Sequence, residues 1–148
     1  MERVRWIVVG TDFSKAADRA LERAVELAAE SKARLACVHA FEDPPVVQGA
    51  TDDPTPALHA ELADAVARSG ARARGVQVVL ILRRGAPWDK LVNVAADLGA
   101  ELIVVGAQGQ RGAAVVLGSV TTRLAANSTR CVLVVPAHAE SGGDGGLH

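Results

Sequence analysis

The residues best suited to chemistry lie in one glycine-rich run, GAQGQRGAAVVLGSVT, residues 106–121. It follows the apolar run Leu102–Val105. A glycine-rich turn between a strand and a helix presents backbone N–H groups and the positive end of the helix dipole, and both suit a phosphate. Gly109 and Gly112 would let oxygen atoms come close to the backbone. The hydroxyls of Ser119 and Thr121 add donors, and Arg111 adds charge. The same glycines can equally serve only to turn the chain. The run is neither GxxxxGK[ST] nor GxGxxG, and it contains no lysine.

Other candidates are sparser. Asp12 follows the apolar run ending at Gly10, where a carboxylate can hold a magnesium ion or a ribose hydroxyl. It can also cap the next helix. His39 reads as a hydrogen-bonded structural residue. His59, His138 and His148 have no metal-ligand spacing with it. Ser14, Ser119 and Ser128 lack a nearby His–Asp pattern, and no GxSxG occurs. Trp88 reads as a packing residue. Cys37 and Cys131 lie in apolar runs without a CxxC, as small buried hydrophobes do.

Composition narrows the partners. The chain has 148 residues, of which 49% are hydrophobic and 22% charged, which fits one globular domain. Aromatics are 3%, so the core must be aliphatic and few rings are present for bases to stack on. A net charge of −1 supplies no basic field for nucleic acid or an anionic membrane. No apolar run approaches a membrane span and no signal peptide is evident, so a reduced, cytoplasmic protein is expected.

The elements that must position these residues alternate. Val4–Gly10 is a near-continuous β-branched run, the pattern of a strand covered on both faces. Ser14 can cap a helix in which Ala17, Ala20, Leu21, Ala24, Val25 and Ala28 share one face, with Asp18, Arg19, Glu22, Arg23 and Glu26 opposite. Leu35–Phe41 is a second strand. Thr55-Pro56 starts a helix with Leu58, Leu62, Ala65 and Val66 on its apolar side, and Gly75 is expected to stop it. Val76–Leu82 is a third strand. Gly85-Ala86-Pro87 opens a helix burying Leu91, Val94, Ala95 and Leu98, with Gly99 as its stop. Leu102–Val105, a helix at about residues 116–126 and Val132–Val135 complete the series. Residues 1–136 form the expected domain, and the Gly-rich tail 137–148 is expected to be disordered. Alternation of this kind predicts an open parallel sheet with helices on both faces, with ligands bound beyond the carboxyl ends of its strands.

Several segments, in order, resemble the universal stress protein family. They are VGTDFS, CVHAF, GAPWDKLVNVAADLGAELIVVGAQG and NSTRCVLVVP, within residues 4–136. The resemblance implies a five-stranded, Rossmann-like α/β fold of the adenine nucleotide alpha hydrolase type, with strand order 3-2-1-4-5. It implies a homodimer through the last strand. The nucleotide-binding branch of the family carries G-x2-G-x9-G-[ST], which Gly106, Gly109, Gly118 and Ser119 resemble. Carried over, Gly106 and Gly109 line the ribose and phosphates, and Gly118, Ser119, Val120 and Thr121 hold the phosphates. Thr11 and Asp12 meet the ribose, adenine or metal end, and Ala40 supplies a backbone contact to adenine.

This chain departs from the pattern in having eight residues, Gln110 to Leu117, between Gly109 and Gly118, and a neutral Gln108 where relatives often carry a basic side chain or histidine. The expected function is a dimeric regulatory stress protein that binds ATP, or AMP or ADP, with Mg2+, and acts on an unknown protein partner. The alternative is a dimeric scaffold of the branch without nucleotide. No enzyme is expected: neither an SGGxDS loop nor an HxGH motif of adenylyl transfer is present and no obvious general base stands beside the phosphates, so ATP hydrolysis is expected to be very slow at most.

Overall fold

The computed structural model describes residues 4–42, 53–107 and 130–136. Within these the chain runs β1 (Trp6–Gly10), α1 (Lys15–Ser31), β2 (Arg34–Phe41), α2 (Thr55–Arg68), β3 (Val78–Arg84), α3 (Pro87–Leu98), β4 (Leu102–Ala107) and β5 (Cys131–Pro136). The five strands form one parallel sheet in the order β3-β2-β1-β4-β5, as the resemblance implied. The glycine-rich run beyond Ala107, the helix expected at about residues 116–126 and the tail lie outside the described residues.

Each strand's alternation sends side chains to two cores. Ile7, Val9, Leu35, Cys37 and Val104 face α1 and α2, where Leu21, Val25, Leu62 and Ala65 cover them. Val8, Ala36, Val38, Ile103 and Val105 face the opposite layer, under Leu91, Val94 and Ala95 of α3. A strand with both faces covered needs apolar residues at consecutive positions, which explains the unbroken runs. Helix α1 lies against the centre of the sheet through the predicted stripe. Its alanines at 17, 20, 24 and 28 let its backbone come close. Burying Leu21 and Val25 contributes roughly 1.5–3 kcal/mol each, more than any propensity term in the helix.

Several boundaries differ from expectation. Helix α2 ends at Arg68, well before Gly75. The Ser69 hydroxyl donates to the Val66 carbonyl and accepts from Ala71 N–H, and Gly70 turns left-handed at φ 86°. These local bonds satisfy the helix end and compete with another turn of helix. Strand β3 starts two residues later than expected and runs on to Arg84. Val76 N–H is bound to the Ala71 carbonyl in the preceding turn, and pairing with β2 extends to Phe41↔Arg84. Strand β1 starts at Trp6, and Val4 is 54% exposed. Strand β4 continues through Gly106 and Ala107, which pair with Val135 and Pro136 rather than closing the strand. Cys131 is exposed instead of buried, because it opens a strand that has only one neighbour in the sheet among the described residues.

The two Val-Val-Gly strand ends serve opposite layers. A Cβ on Gly10 would sit 2.9 Å from both methyl carbons of Leu91 on α3. A Cβ on Gly106 would sit 2.5 Å from the carbonyl oxygen of Ala16 and 2.6 Å from its carbon, in the first turn of α1. Leu91 is a side chain that can rotate, whereas Ala16 offers backbone that cannot yield without moving α1. Gly106→Ala should therefore lower the unfolding free energy by about 1–3 kcal/mol and Gly10→Ala by less. Urea denaturation of the two variants checks the ranking, and the reverse order would contradict it.

Cys37 lies in the α1 core, where burial, reinforced by the negative charge of Asp18, pushes its thiol from an ordinary 9.0 up to about 12. The thiol is neutral at physiological pH and inert. An alkylating reagent at pH 8 should modify Cys131 and spare Cys37 until the chain unfolds, as peptide mass spectrometry would read. The folded state holds the Cys37 proton longer than the unfolded state does. This contribution to stability is complete below pH 9 and is lost as the pH rises toward 12. Cys37→Ala should flatten that alkaline limb.

Candidate functional site

Strand β1 is where the order of the sheet reverses. The chain proceeds from β1 through β2 to β3 on one side and places β4 and β5 on the other. Helices leaving neighbouring strands at such a point go to opposite faces and leave a crevice beyond the carboxyl ends. The ends that flank it here are Gly10-Thr11-Asp12 and Gly106-Ala107, with Ala40 next to them on β2.

The turn after β1 is built by its own side chains. Thr11 is 7% exposed, and its N–H donates to the Val38 carbonyl at 2.9 Å. Its hydroxyl oxygen accepts from Phe13 N–H at 3.0 Å. One carboxylate oxygen of Asp12 accepts from Ser14 N–H at 2.9 Å. Ser14 in turn caps α1, accepting from Ala17 N–H at 3.1 Å. Both readings of Asp12 remain physically compatible: one oxygen shapes the helix entry, and the exposed carboxylate has a second. Phe13 turns left-handed at φ 67°, an uncommon conformation for a ring-bearing residue.

His39 holds this turn from the neighbouring strand. Its Nδ1 lies 2.8 Å from the Thr11 carbonyl oxygen. A carbonyl only accepts, so Nδ1 carries the proton. The ring has two aromatic neighbours. Its centroid is 4.4 Å from that of Phe13, and it stacks at 6.3 Å and 12° on Phe41. Arg84 lies over the far Phe41 ring at 5.1 Å. The structural reading of His39 is what the geometry shows. The link from it to Thr11 spans 28 residues and has no local signature.

Ala40 is placed by strand alternation. Phe41 faces β3, since its carbonyl accepts from Gly85 N–H, and Val38 faces β1. The N–H and C=O of Ala40 therefore point to the β1 side, where β1 has already ended. Gly106 lies at the opposite lip, held by the close approach of α1. The structure thus brings Thr11, Asp12, Ala40 and Gly106 to one edge. Gly109, Arg111, Gly118, Ser119, Val120 and Thr121 lie outside the described residues. Among the described residues no group of three or more His, Cys, Asp or Glu side chains could hold a metal, so Asp12 stands there as a single carboxylate. No helix among them is long and apolar enough to cross a membrane. A cleft of about 410 Å³ lined by Lys32, Arg34, Arg74 and Gln77 opens at the amino ends of β2 and β3 and includes none of these residues.

Comparison with known proteins shows where this fold belongs. The profile of the universal stress protein family matches residues 4–136. The chain is 31% identical over 146 residues to universal stress protein YxiE of Bacillus subtilis (strain 168), covering 87% of this chain and 97% of that one. It is 34% identical over 145 residues to universal stress protein Rv1636 of Mycobacterium tuberculosis (strain ATCC 25618 / H37Rv), covering 91% and 98%. A crystal structure of a universal stress protein in complex with cAMP superposes with a TM-score of 0.70 at 32% identity, covering 92% of this chain and 99% of that one. With the strand order, the crevice at its reversal point and a match across nearly the whole body, the chain belongs to the universal stress protein family.

Proposed function

We propose that this protein binds an adenine nucleotide in the crevice beyond β1 and β4 and acts as a regulatory stress protein whose state the nucleotide biases. The observation that carries the reading is the convergence of the Thr11 hydroxyl, the Asp12 carboxylate, the backbone of Ala40 and the end of β4 at the point where strand order reverses. The cAMP bound by a relative at 32% identity supports an adenine nucleotide as the class of ligand. In this reading Ala40 meets the adenine edge, and Thr11 and Asp12 meet the ribose. Gly106 and Gly109 line the sugar and phosphates. Gly118, Ser119, Val120 and Thr121 hold the phosphates, with charge from Arg111. ATP is the proposed ligand, with AMP and ADP as variants. Mg2+ would arrive on the phosphates with Asp12 as its protein ligand, since magnesium is commonly held by one carboxylate and substrate phosphates. A homodimer through β5 fits the same reading, because β5 is the edge strand of the sheet among the described residues.

The segment between Gly109 and Gly118, one residue short of the family pattern, and the neutral Gln108 favour a second reading: a ligand with fewer phosphate charges, such as AMP or cAMP, bound in preference to ATP. Isothermal titration of the full chain with Mg-ATP, Mg-AMP and cAMP separates the two by rank. The first reading expects Mg-ATP to bind most tightly. Absence of heat and of any thermal shift at millimolar concentrations of all three would sink the nucleotide function and leave the scaffold. Asp12→Asn keeps an oxygen to accept from Ser14 N–H and removes the charge. It should weaken Mg-ATP by about tenfold or more while leaving the thermal midpoint of the free protein nearly unchanged.

A further inference from the structure

The bond between His39 and Thr11 lies where a regular ladder would make another. Parallel pairing sets Thr11 N–H on the Val38 carbonyl, and the next bond of that ladder would run from Ala40 N–H to the Thr11 carbonyl. Among the described residues that carbonyl takes its proton from His39 Nδ1 instead, at 2.8 Å. Among the described residues no bond from Ala40 N–H to that carbonyl accompanies it. The imidazole packs against the tilted ring of Phe13, with the Phe41 ring stacked further off at 6.3 Å.

We propose that His39 is a positioning residue that ends the β1–β2 ladder one bond early and so leaves the N–H and C=O of Ala40 open toward the crevice. A backbone donor and acceptor side by side match the N1 acceptor and N6 amino donor of an adenine edge. By holding the Thr11 carbonyl, the same bond also fixes the turn that carries the Thr11 hydroxyl and the Asp12 carboxylate. This inference rests on the adenine-nucleotide reading and assigns to His39 a role in it that touches no ligand.

The test compares the full chain with His39→Leu, His39→Gln and His39→Asn. Asparagine Nδ2 sits close to where imidazole Nδ1 does and can keep the bond, whereas glutamine carries its amide one carbon further out. Amide hydrogen exchange of the nucleotide-free proteins is read at Ala40, and Mg-ATP affinity by titration. In His39→Leu and His39→Gln the Ala40 N–H should close onto the Thr11 carbonyl, so its exchange should slow by about tenfold and nucleotide affinity should fall by about tenfold. His39→Asn should restore both. A merely structural histidine predicts the opposite sign, with faster exchange at Ala40 in every variant, and that result would overturn the proposal. Unchanged exchange at Ala40 would overturn it too. Slower exchange in a protein whose wild type binds no adenine nucleotide would keep the role of His39 in the ladder and overturn the nucleotide reading alone.

Discussion

The constraint on which the rest of this structure depends is that every central strand is covered on both faces. β1 carries α1 on one side and α3 on the other, so it has no face on which a polar side chain can be tolerated. Aliphatic residues answer this over Ile7–Val9 and Ile103–Val105. At the carboxyl ends the space narrows, to a rotatable side chain at one strand and to helix backbone at the other. Gly10 yields to Leu91, and Gly106 yields to the first turn of α1. Two glycines that look alike in sequence thus answer to contacts in different layers.

That constraint shapes the crevice as well. Gly106 is required by packing before any ligand is considered, so its presence alone says little about phosphate. The polar groups that can serve a ligand are those the packing leaves over: the Thr11 hydroxyl and the Asp12 carboxylate just beyond β1, and the Ala40 backbone beyond the last ladder bond. The first two are oriented by hydrogen bonds to their neighbours, and the Ala40 backbone by the alternation of β2. Phe13 and Ser14 use one oxygen each from Thr11 and Asp12 to turn the chain into α1. The same short segment therefore caps a helix and lines a crevice, and one role need not exclude the other, since a carboxylate has two oxygens.

Much of this was legible from local patterns. The stripe of alanines with Leu21 and Val25 marked the buried face of α1, and Ser14 was found as its cap with the hydroxyl on Ala17 N–H. Pro87 at the start of α3 and Gly99 at its end, the latter at φ 68°, followed from backbone geometry alone. Errors arose where two local signals competed or where a neighbour decided. The Ser69 hydroxyl stopped α2 before Gly75 could. Pairing with Phe41 drew β3 on to Arg84. Cys131 looked buried from its apolar run, but a strand with one neighbour leaves its first residue in solvent.

The sequence by itself determined the alternation of strands and helices, the apolar faces, the helix caps and, through an ordered set of motifs, the family. These rest on periodicity and on bonds spanning a few residues, and the chain carries that information locally. Only the tertiary structure decided which helix each strand-end glycine admits. It also decided that β4 continues through Gly106, and that His39 closes on a carbonyl 28 residues away. Those outcomes depend on distances across the sheet, set when two covered faces are packed at once, and no pattern within a single strand encodes them.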